Sequence, residues 1–189
     1  PEEYAHDAVM NGRRARSTFI DIINSNWGML PRGNRPGMKS VKFLTLTYKE
    51  CMDNLSRVYD DFVKFIDRLG YKLDEKVEYA CSWELQRRGA YHLHILLYCS
   101  FIPLEWLKNN WNEANGQGSF DIKRLDYVNN IGRYMAKYMS KDFASVEGVL
   151  GRHRYWASKG LKDKTRKHYV THKDLTIFGR GKQGMSFQD

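Results

Sequence analysis

The sequence has few cysteines and no long apolar run. Its three cysteines lie far apart in 189 residues without CxxC spacing, so neither a disulfide framework nor a zinc ribbon is expected. No stretch approaches the roughly 20 apolar residues of a membrane-spanning helix, and no charged-then-apolar leader is present. These absences predict a soluble, intracellular protein without a membrane partner.

Acidic residues are the minority among the charged residues. The chain has 22 Asp and Glu against 31 Lys and Arg, which gives a net charge of +9 and a pI near 9.4. This balance favours a polyanionic partner. The length fits one domain. Turn-forming residues at 31–37 separate a basic helical arm, residues 1–37, from a main domain, residues 38–189. The absence of an initiator Met at Pro1 leads us to expect a piece of a longer polypeptide.

Apolar periodicity predicts an α+β fold, with a central antiparallel β-sheet and flanking helices. The short connection of residues 87–90 predicts a hairpin between two of the strands. Predicted helices cover residues 2–27 in one or two pieces, 55–69 ended by Gly70, 103–112 closed by Gly116 and Gly118, and 127–139. Predicted strands cover residues 41–48, 77–86, 91–100 and 119–125, with 169–170 and 175–178 as further candidates.

Two histidines alternate with apolar residues on one predicted strand. Side chains two residues apart on a strand project from the same face, so His92 and His94 can share one cation. The hairpin brings Glu84 alongside, and a His, His, Glu set suits Mg²⁺ or Mn²⁺. Two alternatives stay open: the histidines are polar outward residues of an amphipathic strand, and Glu84 only pairs with Arg87 or Arg88.

A tandem YxxK pattern occupies the last predicted helix. Residues four apart meet on one helical face, so Tyr134 and Tyr138 present adjacent phenols. A neutral phenol, with a pKa near 10, is a poor nucleophile, and Lys137 and Lys141 can supply the positive charge that phosphoryl transfer to it requires. The alternative is that both tyrosines are core aromatics. A separate apolar stripe on this helix can, however, form its buried face without them.

Three blocks of the sequence, in order, resemble the nicking domain of rolling-circle replication initiators of the HUH endonuclease superfamily. Residues 43–48 resemble the first motif, and residues 84–98 the second, with His92-Leu93-His94 in the place of the metal-binding HUH. Residues 134–141 resemble the tyrosine helix. Residues 152–156 also resemble a segment that follows this motif in phage and plasmid initiators.

The resemblance implies a metal site on the face of an RRM-like sheet, with Mg²⁺ or Mn²⁺ as cofactor. It implies cleavage of single-stranded DNA that leaves a 5′-phosphotyrosine and a free 3′-hydroxyl. Two tyrosines separated by three residues resemble the phage gene A type, in which both attack in alternation. Because the pattern from Tyr138 onward also resembles the single-tyrosine form, Tyr138 is the first choice as nucleophile and Tyr134 the second.

The expected partners are single-stranded DNA or an origin hairpin, and a replication helicase or polymerase of a prokaryotic host whose cytoplasm would contain the protein. We expect the basic segments to contact DNA phosphates. The candidate DNA-binding residues are Arg13, Arg14, Arg16, Arg152, Arg154 and Lys159.

Other functions remain open on the sequence alone. Basic and aromatic residues would suffice for a nucleic-acid-binding module without catalysis. The same three ligands would also serve a metal-dependent hydrolase that uses water as nucleophile. A relaxase or a transposase of the same superfamily is a closer alternative, since both use tyrosine transesterification.

Overall fold

The structure of the chain is a computed structural model that describes residues 2–27, 39–111, 118–125, 130–138 and 155–162, with side chains from residue 10 onward. Within these ranges no helix is long and apolar enough to cross a membrane. The predicted strands at 169–170 and 175–178 lie outside the described residues.

Five strands form one antiparallel sheet. The strands are β1 (Ser40–Thr47), β2 (Glu78–Leu85), β3 (Tyr91–Cys99), β4 (Ser119–Arg124) and β5 (Tyr155–Ala157). Their order across the sheet is β4-β1-β3-β2-β5, and each neighbouring pair is antiparallel. The helices are α1 (Glu2–Trp27), α2 (Leu55–Leu73), α3 (Leu104–Asn110) and α4 (Ile131–Ala136). The predicted α+β fold with a central antiparallel sheet is confirmed.

The sheet has a separate hydrophobic cluster on each face, because successive residues of a strand project from opposite sides. One cluster joins Leu93 and Ile95 of β3 to residues of α2 and α3, such as Phe62 and Leu107. The other joins Phe43 of β1 to residues of α1 and α4. The helices therefore form a layer on each side of the sheet, and α1 and α4 share one face.

The predicted end of α2 at Gly70 is wrong. The helix continues to Leu73, and Asp74 takes the left-handed conformation at its end, with φ of 50°. Gly70 has another purpose, since a Cβ at this position would lie 3.2 Å from the backbone oxygen of Glu75. The glycine leaves room for the chain that turns back after the helix, where the Glu75 amide donates to the Gly70 carbonyl.

Three other predicted elements differ from the structure. Helix α3 ends at Asn110, with Trp111 as its C-cap, so Gly118 does not close it; Gly116 lies outside the described residues. Helix α4 begins at Ile131, after the N-cap Asn130, and is six residues long instead of thirteen. Strand β5 was not predicted, because three residues are too few to establish an alternating pattern.

Candidate active site

The strand register places the candidate metal ligands on the sheet face that α1 and α4 cover. His94 pairs with Thr45 of β1 and Ser82 of β2, and His92 pairs with Glu84 of β2. Paired residues point to the same side of a sheet. The prediction that the histidines share a face opposite to Leu93 and Ile95 is therefore confirmed, and the hairpin also brings Glu84 to that face.

His94 is a buried residue held by three neighbours. Its relative exposure is 6 %. Its Nε2 lies 3.3 Å from Oε2 of Glu84, its Nδ1 lies 3.5 Å from Oγ1 of Thr45, and its ring stacks on Phe43 with 5.9 Å between centroids. His94 is thus not an outward-facing surface residue, and the described ion pair of Glu84 is with His94 and not with Arg87 or Arg88.

His92 is half-buried beside His94. The two ring centroids are 6.2 Å apart. Nε2 of His92 is buried and has no hydrogen-bond partner among the described residues, and the same holds for Oγ of Ser82, opposite His94. A buried polar atom without a partner costs about 1–3 kcal/mol. Such atoms beside His94 and Glu84 are therefore the feature expected of a site that binds a ligand.

Both imidazoles favour the neutral form. Burial lowers the pKa of His92, and the neighbouring His94 lowers it further. Burial also lowers the pKa of His94, although the Glu84 carboxylate opposes this effect. A neutral imidazole is the form that binds a metal ion. Both histidines are therefore available as ligands at neutral pH.

The donor set fits a divalent metal in its chemistry. Two imidazoles and a carboxylate leave coordination positions open for water and phosphate oxygens. Within the described ranges no three His, Cys, Asp or Glu side chains already converge in a metal-binding geometry. A shared ion would require small side-chain rotations, above all of Glu84, whose side chain is 40 % exposed.

Helix α4 carries the first tyrosine, and the turn that follows it carries the second. The Asn130 side chain accepts from the Arg133 amide at 2.7 Å and so caps the first turn. Ile131 and Met135 are buried, as the apolar stripe predicted, whereas Tyr134 and Tyr138 are half-buried. Both tyrosines pack at the margin of the apolar cluster, not in its centre.

The two phenols meet each other and the histidine face of the sheet. The Tyr138 hydroxyl donates to that of Tyr134 at 3.3 Å. The ring of Tyr138 lies 5.0 Å from that of His94, and Phe43 contacts both tyrosine rings, at 5.4 Å for Tyr134 and 4.7 Å for Tyr138. A nucleophile candidate from α4 is thus adjacent to a ligand candidate from β3.

Tyr134 holds its proton firmly. Burial, together with the hydrogen bond to Tyr138, raises its pKa to about 12. The carboxylate of Asp121 on β4 adds to this effect. Of the predicted catalytic lysines, Lys137 is exposed with Nζ 5.7 Å from the centroid of the Tyr134 ring, and Lys141 lies outside the described residues.

The basic residues predicted to contact DNA have different surroundings. Arg13, Arg14 and Lys159 are exposed. Arg16 also lies on the exposed side of α1, but its Nη2 donates to the Ala136 carbonyl at the end of α4, at 3.1 Å. The predicted contacts Arg152 and Arg154 lie outside the described residues.

Four residues near the site had no role assigned from sequence. Phe43 and Thr45 alternate with apolar residues on β1, and this alternation was the available signal for the face they share. Asp121 and Lys123 pair with them from β4 and with each other at 2.9 Å. No local pattern indicated that β4 lies beside β1, because that pairing joins distant parts of the chain.

The family of the chain follows from a comparison with known proteins. Residues 41–143, more than half of the 189, match the family model of the ORF2-type replication-associated proteins. The chain belongs to this family. The matched region of this replication-associated protein runs from β1 beyond α4 and includes both histidines and both tyrosines, whereas α1 and β5 lie outside it.

Two further comparisons, with curated proteins and with solved structures, gave no match. Membership of the replication-associated protein family supports a role in the initiation of replication. The chemistry of that role has to be argued from the residues themselves.

Proposed function

We propose that the protein is a nicking enzyme of the HUH endonuclease type, which cleaves and rejoins single-stranded DNA through tyrosine to initiate rolling-circle replication of a phage or plasmid. One observation carries this proposal: the Tyr138 ring lies 5.0 Å from that of His94, on a sheet face that also holds His92 and Glu84. A module that only binds nucleic acid has no need of this juxtaposition.

His92, His94 and Glu84 would hold Mg²⁺ or Mn²⁺. The partnerless Nε2 of His92 supports this assignment, as does the carboxylate beside Nε2 of His94. When bound there, the ion would supply Lewis-acid polarisation of the scissile phosphate. Thr45 contacts the other nitrogen of His94 and would fix the orientation of that ring, as outer partners of metal-ligating histidines do.

Tyr138 would be the first nucleophile. Its oxygen would bond to phosphorus while the bond from phosphorus to the 3′ oxygen breaks, and the 3′ oxygen would take up a proton to leave as a hydroxyl. The phenol proton would pass to solvent. Tyr134, with a pKa of about 12, stays protonated at neutral pH. It can therefore donate a hydrogen bond to the Tyr138 oxygen as negative charge develops there.

Tyr134 would serve as the second nucleophile, as in initiators of the two-tyrosine type. The two hydroxyls are 3.3 Å apart, so a phosphate within reach of one is close to the other. Lys137, one helical turn from Tyr134, would compensate phosphate charge. The half-buried positions of both rings support access to DNA from the open side of the cluster.

The proposed substrate is single-stranded DNA or an origin hairpin, and the natural partners are a replication helicase or polymerase of the host. Arg13 and Arg14 on α1 and Lys159 after β5 are exposed cations that can contact phosphates. Such contacts orient the strand but do not read its sequence.

Incubation with end-labelled single-stranded oligonucleotides and Mn²⁺, followed by a denaturing gel, tests the proposal. We expect a shortened product and a protein-linked product, both abolished by chelator and by His92→Ala or His94→Ala. Cleavage without a protein-linked product would favour the water-dependent hydrolase instead. Binding without cleavage in Mg²⁺ or Mn²⁺ would indicate a non-catalytic module.

A further inference from the structure

We infer that helix α1, which lies outside the family-matched region, is a positioning element for the tyrosine nucleophiles, and that Asn24 and Arg16 fix the two ends of α4. This inference rests on the proposed function, because it concerns how the nucleophiles of that reaction are held. It gives Arg16 a role other than the phosphate contact expected from the sequence.

Helix α4 is too short to hold its own conformation. It has six residues, and isolated helices shorter than roughly 12–15 residues are marginal in water. Its position therefore depends on tertiary contacts. Among these, α1 packs along α4, and Phe19, Ile22 and Ile23 of α1 share a buried cluster with Ile131 and Met135 of α4.

Asn24 fixes the beginning of α4. Its Oδ1 accepts from the Gly132 amide at 3.0 Å, and this amide belongs to the first turn of the helix, where backbone amides have no partner within the helix. The close approach depends on glycine, because a Cβ at residue 132 would lie 2.7 Å from Oδ1 of Asn24. The apolar packing aligns the helices, and this bond fixes their register.

Arg16 fixes the end of α4. Its guanidinium donates to the Ala136 carbonyl, one of the carbonyls left without a helical partner at the C-terminal end. A cation at this end also interacts favourably with the helix dipole. Ala136 stands two residues before Tyr138, so the contact lies beside the proposed first nucleophile and at the opposite end of the helix from the Asn24 bond.

These two contacts have different expected consequences. Loss of the Asn24 bond releases the start of α4 and should disturb both tyrosines. Loss of the Arg16 bond releases only the end and should disturb Tyr138 more than Tyr134. A pure phosphate contact by Arg16 would instead reduce DNA affinity and leave the reactivity of the two phenols equal.

Single-turnover adduct formation at saturating DNA separates positioning from affinity. Each substitution is made in a Tyr134→Phe background, which leaves Tyr138, and in a Tyr138→Phe background, which leaves Tyr134. We expect Arg16→Ala to slow Tyr138 by about fivefold to tenfold, the factor that corresponds to one hydrogen bond, and to slow Tyr134 less. Arg13→Ala removes the same charge from the same helix, and it should weaken DNA binding without changing either saturated rate.

Asn24 provides a test that does not involve charge on DNA. Asn24→Ala should slow both tyrosines, and Asn24→Asp, which keeps an acceptor for the Gly132 amide, should restore most of the rate. Amide hydrogen exchange over residues 131–138 reports the same hold without DNA chemistry, and we expect faster exchange there in Asn24→Ala and Arg16→Ala at unchanged melting temperature.

The outcomes distinguish the inference from the proposed function. If neither tyrosine of the unsubstituted protein forms an adduct, the proposed function fails, and hydrogen exchange alone decides whether α1 holds α4. If adducts form but Arg16→Ala resembles Arg13→Ala at both tyrosines, or if exchange over residues 131–138 is unchanged in Asn24→Ala, the positioning role is wrong.

Discussion

Replacement of Gly118 by alanine should be strongly destabilising. Gly118 leads into β4 with φ of 105°, a conformation that costs other residues about 1–3 kcal/mol. An added Cβ would lie 2.2 Å from the Thr47 oxygen and 2.5 Å from the Lys49 nitrogen, both backbone atoms of the neighbouring chain. Side-chain rotation cannot relieve such an overlap, so β4 must move away from β1.

We therefore expect Gly118→Ala to lower the free energy of unfolding by about 3 kcal/mol or more. For a chain of this length, that loss corresponds to a melting temperature lower by roughly 6–12 °C. Urea and thermal unfolding followed by circular dichroism measure both quantities.

Gly160→Ala is the matched control for the Gly118 measurement. A Cβ at Gly160 would meet Oε1 of Glu78 at 3.0 Å, and this atom is the end of a flexible side chain that can move aside. The control variant should melt close to the unsubstituted protein. A Gly118→Ala variant that is as stable as Gly160→Ala would refute the tight approach of β4 to β1 and, with it, the placement of Asp121 beside the site.

Three further predictions concern the site and its surface. Because the folded state lowers the pKa of His92 and His94 below 6.5, the unfolded chain binds more protons in acid, so metal-free protein should lose stability as pH falls through about 6.5; denaturant titrations from pH 7.5 to 5 should show a slope that is absent when both are Gln. Isothermal calorimetry should detect Mn²⁺ binding that His94→Ala abolishes and Glu84→Gln weakens, and equal affinity in all three proteins would exclude these ligands. DNA affinity should fall steeply from about 50 to 200 mM salt, with a shallower slope for Arg13→Glu and Arg14→Glu, and a salt-independent affinity would exclude phosphate contacts.

Much of the fold was predictable because its signals are local. The alternation in β3 and the short connection before it predicted a hairpin with both histidines on one face, and the structure confirms this arrangement. The apolar spacing in α2 predicted that helix, although not its end. The position of Gly70 resembled a helix terminus, whereas its function depends on the later return of the chain at Glu75.

The surroundings of the site were less predictable because they depend on contacts between distant segments. Arg16 and Ala136 are 120 positions apart, and an exposed arginine on an amphipathic helix gives no sign of a carbonyl partner. The contact of Phe43 with both tyrosine rings requires the packing of α4 on β1. Sequence patterns indicate which face a residue occupies, but not what is packed against it.

The location of the DNA on the protein tests the central claim most directly. After reaction with an oligonucleotide and Mn²⁺, mass spectrometry of proteolytic peptides should find the 5′-phosphate linked to Tyr138, with a smaller share on Tyr134. Tyr138→Phe removes only a hydroxyl and keeps the ring that packs on His94 and Phe43, so it should lose most of the adduct at unchanged stability. The double Phe variant should form none, and an adduct on any other residue of that variant would contradict the assignment.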